Sequence, residues 1–409
     1  MTTRIFYVLL FLPILLIEDC KDESVIALGE NYPKQIIIHN SREKKPDLVP
    51  ATEVTNTVVD EINSDPQKIS NFLSGNWVED KQDSLNEFTK TNSYISYKLN
   101  LEKDWLLYKK VTLIPFKEWL VDNFKFQYSD TILYPFSGPD LPNVLTIYPN
   151  ASKYVMIGLE PAGFLPDFKM DSDEKKSKGL HELNSSLDSI SRLNFFLTNK
   201  MKVNISSSVY SGTVPVIVAY LGLLGFETLS VKPIIIDNSG NIHFLSPGEI
   251  IADPSYKKGN VSTEIKFKDP NSKQVKVVYY LFANVSNQGF VKEPQIMTFL
   301  NSLGKFSSTF KAASFLLHYD NFSKMKNYIL ENADLIVMDD TGPRIKDLKP
   351  DFEINVYGIY TRPIALWPNM FQPDLKELHL LQKPKEIPFK YGYGTLNKTY
   401  HLIIAHKNK

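Results

Sequence analysis

Four carboxylates stand where an apolar, strand-like run gives way to a turn: Asp140, Glu160 and the adjacent pair Asp339 and Asp340. In a parallel sheet the carboxyl ends of the strands share one edge, and ligands usually bind there. Carboxylates that converge on such an edge can hold a hard divalent cation, or divide acid and base work between them. Each of the four also lies close to proline or glycine, and such surroundings make ordinary turns. Ser137, in the turn Phe136-Ser137-Gly138-Pro139, is a candidate nucleophile with His318 or His181 as its base. Pro135 and Phe136 precede it, so the G-x-S-x-G elbow is absent, and a serine before Gly-Pro more often bonds within its own turn. The seven histidines show no H-E-x-x-H spacing, and His318 reads as a helix-end residue. No cofactor is expected beyond a divalent cation at the carboxylates.

A different chemistry is available at Cys20, the one cysteine. Met1–Arg4 provides a short positive end, and Ile5–Ile17 is an unbroken apolar run of 13 residues. That length suits the ~7–15-residue core of a signal peptide and falls short of the ~20 needed to span a bilayer. A cysteine at the end of such a run is where a diacylglycerol is attached in bacterial lipoproteins. Acyl chains would then anchor the protein at ~0.8 kcal/mol per buried methylene. Glu18 and Asp19 depart from the small residues that usually precede the modified cysteine. With its one thiol directly after the leader, the mature chain has no internal disulfide to rely on.

The elements that must position the carboxylates follow from the apolar spacing. Residues 1–19 read as a signal peptide, 20–51 as a polar tether, 52–128 as a helical N-terminal part and 129–409 as an α/β body. Thr131–Phe136 and Lys153–Leu159 are strands joined by a short crossover, which predicts a parallel βαβ unit. Lys169–Lys178 reads as a charged loop. Leu180, Leu183, Leu187, Ile190, Leu193 and Leu197 recur at helical spacing. Thr213–Phe226 is apolar all round and predicts a buried helix. Two hairpins are expected, at 230–246 and 263–282, followed by helices opening at Pro294 and at Phe322. Ser307–His318 also reads as a helix, Asp334–Met338 as a buried strand, and Ile354–Tyr360 and Tyr400–Ala405 as strands parted by proline-rich loops. The fold class is therefore a mixed, partly parallel sheet flanked by helices, with a Rossmann-like unit possible and an N-terminal helical extension.

The 409 residues carry 46 basic and 46 acidic side chains, and loss of residues 1–19 would leave the balance near zero. No basic excess points to nucleic acid. Four stretches, Tyr134–Asp140 (YPFSGPD), Gly158–Pro161 (GLEP), Lys311–His318 (KAASFLLH) and Met338–Gly342 (MDDTG), together resemble blocks in a family of uncharacterised exported bacterial proteins that includes lipoproteins of leptospires and related spirochaetes. The resemblance covers roughly residues 115–405 and implies export, a cell-envelope location and one continuous domain; it implies no activity. The expectation is a lipid-anchored protein that binds a ligand or protein partner, facing the periplasm or cell exterior. An exported hydrolase or metal-dependent enzyme is the alternative. A methyltransferase-like fold is a more remote one, since the turn after the first strand has one glycine and a proline where a cofactor needs approachable backbone N–H groups.

Overall fold

A computed structural model describes residues 65–80, 82–168, 171–193, 209–272, 274–312, 314–364, 367–394 and 399–408. The leader, Cys20 and the tether lie outside the described residues. The helical N-terminal part comprises α1 (Pro66–Leu73), α2 (Asn92–Tyr108) and α3 (Ile114–Asn123), and a π-helical turn, Lys109–Leu113, joins the last two. Asp65 caps α1 by accepting from the backbone N–H groups of Gln67 and Lys68, with Pro66 in the first turn.

The body opens with β1 (Thr131–Pro135), α4 (Leu141–Ile147) and β2 (Lys153–Gly158), a parallel βαβ unit as the spacing predicts. Then come α5 (Asp173–Leu193) and α6 (Val214–Leu224), β3 (Glu227–Ile236), β4 (Ile242–Phe244), β5 (Ser262–Lys268) and β6 (Val275–Phe282). The chain continues through α7 (Pro294–Asn301), β7 (Phe306–Phe310), α8 (Ser323–Asn332), β8 (Ala333–Met338), β9 (Phe352–Gly358), α9 (Pro373–Gln382) and β10 (His401–Lys407). All ten strands form one sheet in the order β4-β3-β5-β6-β2-β1-β7-β8-β10-β9. The five central strands, β6 to β8, run parallel, while β3–β5 and β10 make the antiparallel pairings.

Setting aside the inserted β3–β5, the remaining seven strands numbered in chain order read 3-2-1-4-5-7-6. This is the doubly wound order, with the winding reversing between β1 and β7 and with the last two strands exchanged. Helices α1–α6 cover one face, on which Ile132, Tyr134, Leu335 and Val337 point inward. Helices α7–α9 cover the other, packed on Leu133, Ile336, Met338 and Ile403. The described residues belong to one compact unit.

Three expectations need correction. Ser307–His318 is not a helix: Phe306–Phe310 (FSSTF) is the central strand β7, and only Ser314–His318 turns, as a short 3-10 segment. Its β-branched and aromatic residues fit a strand buried on both faces, where no alternation marks the period. The charged run reaching Lys178 is largely the start of α5, whose first turn carries Asp173 and Glu174 where the helix dipole favours acids. The proline-rich stretch before β10 contains α9, with Pro373 in its first turn.

Candidate functional site

The switch point lies at the carboxyl ends of β1 and β7, and the loops leaving both strands begin with strained residues. Phe136 has φ 57° and Ala312 φ 56°, left-handed values that cost a residue with a Cβ about 1–2 kcal/mol. Such strain gathers where structure over-determines a functional geometry.

Between these loops Lys311 Nζ meets Asp140 Oδ2 at 2.6 Å, with the two side chains 1% and 4% exposed. The Tyr134 hydroxyl donates to the same oxygen at 3.0 Å. Asp140 Oδ1 is buried and has no hydrogen-bond partner. Four phenols surround this carboxylate. Tyr134, Tyr108 and Tyr220 are held well above their ordinary pKa by burial, and Asp140's charge adds to the effect. Tyr391 is raised by burial and then by Asp339 and Asp140. Its hydroxyl faces Thr309 and Asn143, yet Tyr391 OH, Thr309 Oγ1, Asn143 Nδ2 and Tyr220 OH all fall short of hydrogen-bond geometry. The floor of this hub comes from β1, α4 and β7, and the roof from Tyr108, Tyr220 and Tyr391. Tyr108 directly precedes the π-helical turn, a distortion common at functional sites.

The adjacent carboxylates Asp339 and Asp340 do not converge, because consecutive residues leaving a strand point to opposite faces. Asp339 turns toward the hub. Its Oδ2 accepts from Ala312 N at 2.9 Å, and its Oδ1 accepts from Thr341 N at 3.0 Å and from Thr341 Oγ1 at 2.5 Å. The carboxylate thus ties the loop after β8 to the loop after β7. Burial, and then the charge of Asp340, pushes its pKa up to about 6. Gly392, at φ 50°, closes over it, and a Cβ there would overlap Asp339 Oδ2.

Asp340 turns to the other face and meets His401. Asp340 N donates to His401 Nε2 at 3.0 Å, while Asp340 Oδ1 lies 3.3 Å from that nitrogen. Burial pulls the His401 pKa down, but the Asp340 carboxylate, helped by Asp339 and the Thr399 carbonyl, offsets it, and the net shift is upward.

Glu160 is buried at the end of β2, where its backbone carbonyl accepts from Tyr280 OH at 3.3 Å. Ser137 Oγ reaches the Ile157 carbonyl at 3.4 Å. His318 Nε2 bonds the Gly342 carbonyl at 2.7 Å, and burial lowers its pKa to about 4. His318 is therefore a neutral donor that pins two loops, and it makes no hydrogen bond to Ser137 among the described residues. His181 is exposed on α5. Thus Asp140 and Asp339 share the hub, whereas Glu160, Asp340, Ser137 and His318 have separate partners. Among the described residues no three His, Cys, Asp or Glu side chains group as metal ligands would.

The sequence reading missed Tyr108, Asn143, Tyr220, Thr309, Tyr391 and His401, and gave Lys311 no role. Lys311 directly follows β7, so reading 307–318 as a strand and turn would have exposed its position beside Asp140. The chain matches no protein-family model and no curated protein.

Proposed function

We propose that this is an exported, lipid-anchored envelope protein that binds a small ligand at the switch point of its sheet. Export and anchoring rest on the apolar run Ile5–Ile17 and on Cys20 three residues beyond it. The binding reading rests on one observation: Asp140, Asn143, Thr309, Tyr220 and Tyr391 each bury a polar atom outside hydrogen-bond geometry in the same hub, with the Tyr391 hydroxyl facing Thr309 and Asn143 but not closed on them. Most buried polar groups are paired, and other unpaired atoms such as Thr228 Oγ1 and Trp367 Nε1 are scattered through the fold, so it is the gathering of five in one hub that marks a place for a guest supplying both donors and acceptors. The Asp140–Lys311 pair cancels its own charge, so the guest that fits is uncharged.

This arrangement favours binding over the two enzymatic readings. In a doubly wound sheet a nucleotide cofactor lies along this edge, but here Lys311, Asp140 and the phenols occupy the ground beyond β1 and β7. A metal-dependent hydrolase would draw on Asp140, Glu160, Asp339 and Asp340 together; of these only Asp140 and Asp339 share the hub, Asp339 is already bonded by Ala312 and Thr341, and Asp340 faces away. Under this reading calcium or magnesium leaves the melting temperature unchanged. A rise that is lost in Asp339→Asn would restore the metal-enzyme alternative.

The test is the mass of the folded protein, purified from its own cells and sprayed under non-denaturing conditions. A non-covalent adduct that is lost in the Asp140→Asn, Tyr391→Phe double variant supports the reading. A bare wild-type mass, with the variant equally stable, contradicts it.

A further inference from the structure

The contact between Asp340 and His401 contains two interactions that exclude each other. His401 Nε2 lies 3.0 Å from Asp340 N and 3.3 Å from Asp340 Oδ1. A single ring nitrogen either carries a lone pair or carries a proton. Without the proton it accepts from the Asp340 amide, and Asp340 Oδ1 is then buried with no donor. With the proton it donates to Oδ1, and the Asp340 amide then loses its acceptor. The other nitrogen, Nδ1, faces the Thr399 carbonyl at 3.4 Å and carries a hydrogen in both states.

One neighbouring hydroxyl also reaches the Asp340 carboxylate, but it leaves Oδ1 unpaired, so the choice at Nε2 stands. From β8 the facing charges are Asp340 and Asp339. From the segment after β9, the Tyr360 ring meets His401 edge-on at 4.9 Å between centroids, and its hydroxyl, which accepts from Gln372 N at 2.9 Å, hydrogen-bonds the Asp340 carboxylate. From α9, the His379 ring lies at 6.4 Å, and burial lowers its pKa. The Asp340 carbonyl is already taken by Gln372 Nε2 at 2.8 Å. Burial opposes the protonated state, and the Asp340 and Asp339 carboxylates and the Thr399 carbonyl favour it.

We propose that His401 and Asp340 form a proton switch that sets the position of the loop after β8 and so regulates the switch-point site. Protonation takes one proton from solvent onto Nε2, breaks the Asp340 N–H···Nε2 bond and makes Nε2–H···Oδ1 in its place. The Asp340 peptide unit is joined directly to Asp339, whose carboxylate holds the Ala312 amide of the loop after β7. A shift at Asp340 therefore reaches the hub through one covalent neighbour. A protein displayed outside the cytoplasm meets the external pH directly, and His is the side chain whose charge changes near neutrality. The regulatory part rests on the binding reading above; the switch itself rests on the two distances.

The test uses the whole protein labelled with ring-13C histidine and with 15N aspartate and alanine, and follows its spectra from pH 4 to pH 9. The His401→Gln variant assigns the ring signal, and it also places a permanently uncharged side chain beside Asp340. The expected result is a midpoint shared by the His401 ring, the Asp340 amide and the Ala312 amide, and that component is lost from both amides in His401→Gln, where only the separate response to Asp339, which titrates at about 6, remains. A His401 ring that holds one protonation state throughout, or an Asp340 amide that does not follow the ring, overturns the switch. If Asp340 follows the ring and Ala312 does not, the switch stands and its link to the hub fails. These signals need no ligand, so a failed adduct measurement and a failed switch are separate results.

Discussion

Replacing His318 with glutamine should change the pH dependence of stability by an amount that can be worked out beforehand. Buried His318 donates from Nε2 to the Gly342 carbonyl, and burial lowers its pKa from 6.5 to about 4. A histidine with a depressed folded-state pKa contributes stability that is complete above its unfolded pKa. As pH falls below 6.5 the unfolded chain takes up a proton that the folded chain refuses, until the folded state also binds it near pH 4. At 1.36 kcal/mol per pKa unit, that interval corresponds to about 3 kcal/mol lost on acidification. Asp339 works in the opposite direction. Its folded pKa is raised from 3.8 to about 6, so the folded chain binds the proton first and gains about 3 kcal/mol as pH falls from 6 to 4. In the wild type the two contributions largely cancel. Glutamine keeps an N–H for the Gly342 carbonyl and does not titrate, so His318→Gln should leave the Asp339 contribution exposed. Urea unfolding at pH 7 and at pH 4 measures both proteins, and the stability difference between them isolates His318 from all other groups. The account predicts that this difference shifts toward the variant by about 3 kcal/mol between the two pH values. A difference that does not change with pH would mean that His318 is solvated and charged in acid, and would refute the buried-donor argument.

Other perturbations have equally definite outcomes. Lys311→Met strands the Asp140 carboxylate and should cost about 3–5 kcal/mol in urea unfolding, while adding Asp140→Leu should recover most of that loss; an additive double variant would mean that the pair is not coupled. Gly392→Ala forces a Cβ against Asp339 Oδ2 at a positive φ and should lower stability by about 2 kcal/mol or more, with the melting temperature as readout. Ala312→Gly relieves a left-handed alanine and should raise stability by about 1 kcal/mol, provided the Ala312 N–H to Asp339 bond persists. Cys20→Ala should move the protein from the membrane fraction to the soluble fraction on cell fractionation, and an unchanged distribution would remove the lipid anchor from the account.

Much of the architecture can be read from local patterning. The βαβ unit from Thr131 to Gly158 announces itself through two apolar runs with turns behind them, and the helix beginning near Leu180 through its leucine spacing. The hairpins around Asn238–Asn241 and Asp269–Ser272 are marked by turn residues. The strand β7 was hidden because a central parallel strand is buried on both faces and so shows no alternation; FSSTF followed by KAASFLLH then reads as helix. That misreading concealed the site as well, since Lys311 becomes the partner of Asp140 only when β7 lies beside β1. The carboxylates were legible as strand-end residues, but their directions were not. Asp339 and Asp340 are neighbours in sequence, and the strand's two-residue period sends them to opposite faces. Tyr391 and His401 come from the far end of the chain and reach the edge only through the antiparallel insertion of β10 between β8 and β9, a pairing with no local signature.

The measurement that bears most directly on the switch-point site is a high-resolution crystal structure of the protein purified from its own cells, with attention to density between Asp140 Oδ1 and Tyr391 OH. The account predicts a bound molecule larger than water, bonded to both and within reach of Asn143 and Thr309. Discrete waters alone at those atoms, with the loops after β1 and β7 unchanged, would contradict ligand binding at the switch point and leave the hub as a buried hydration site.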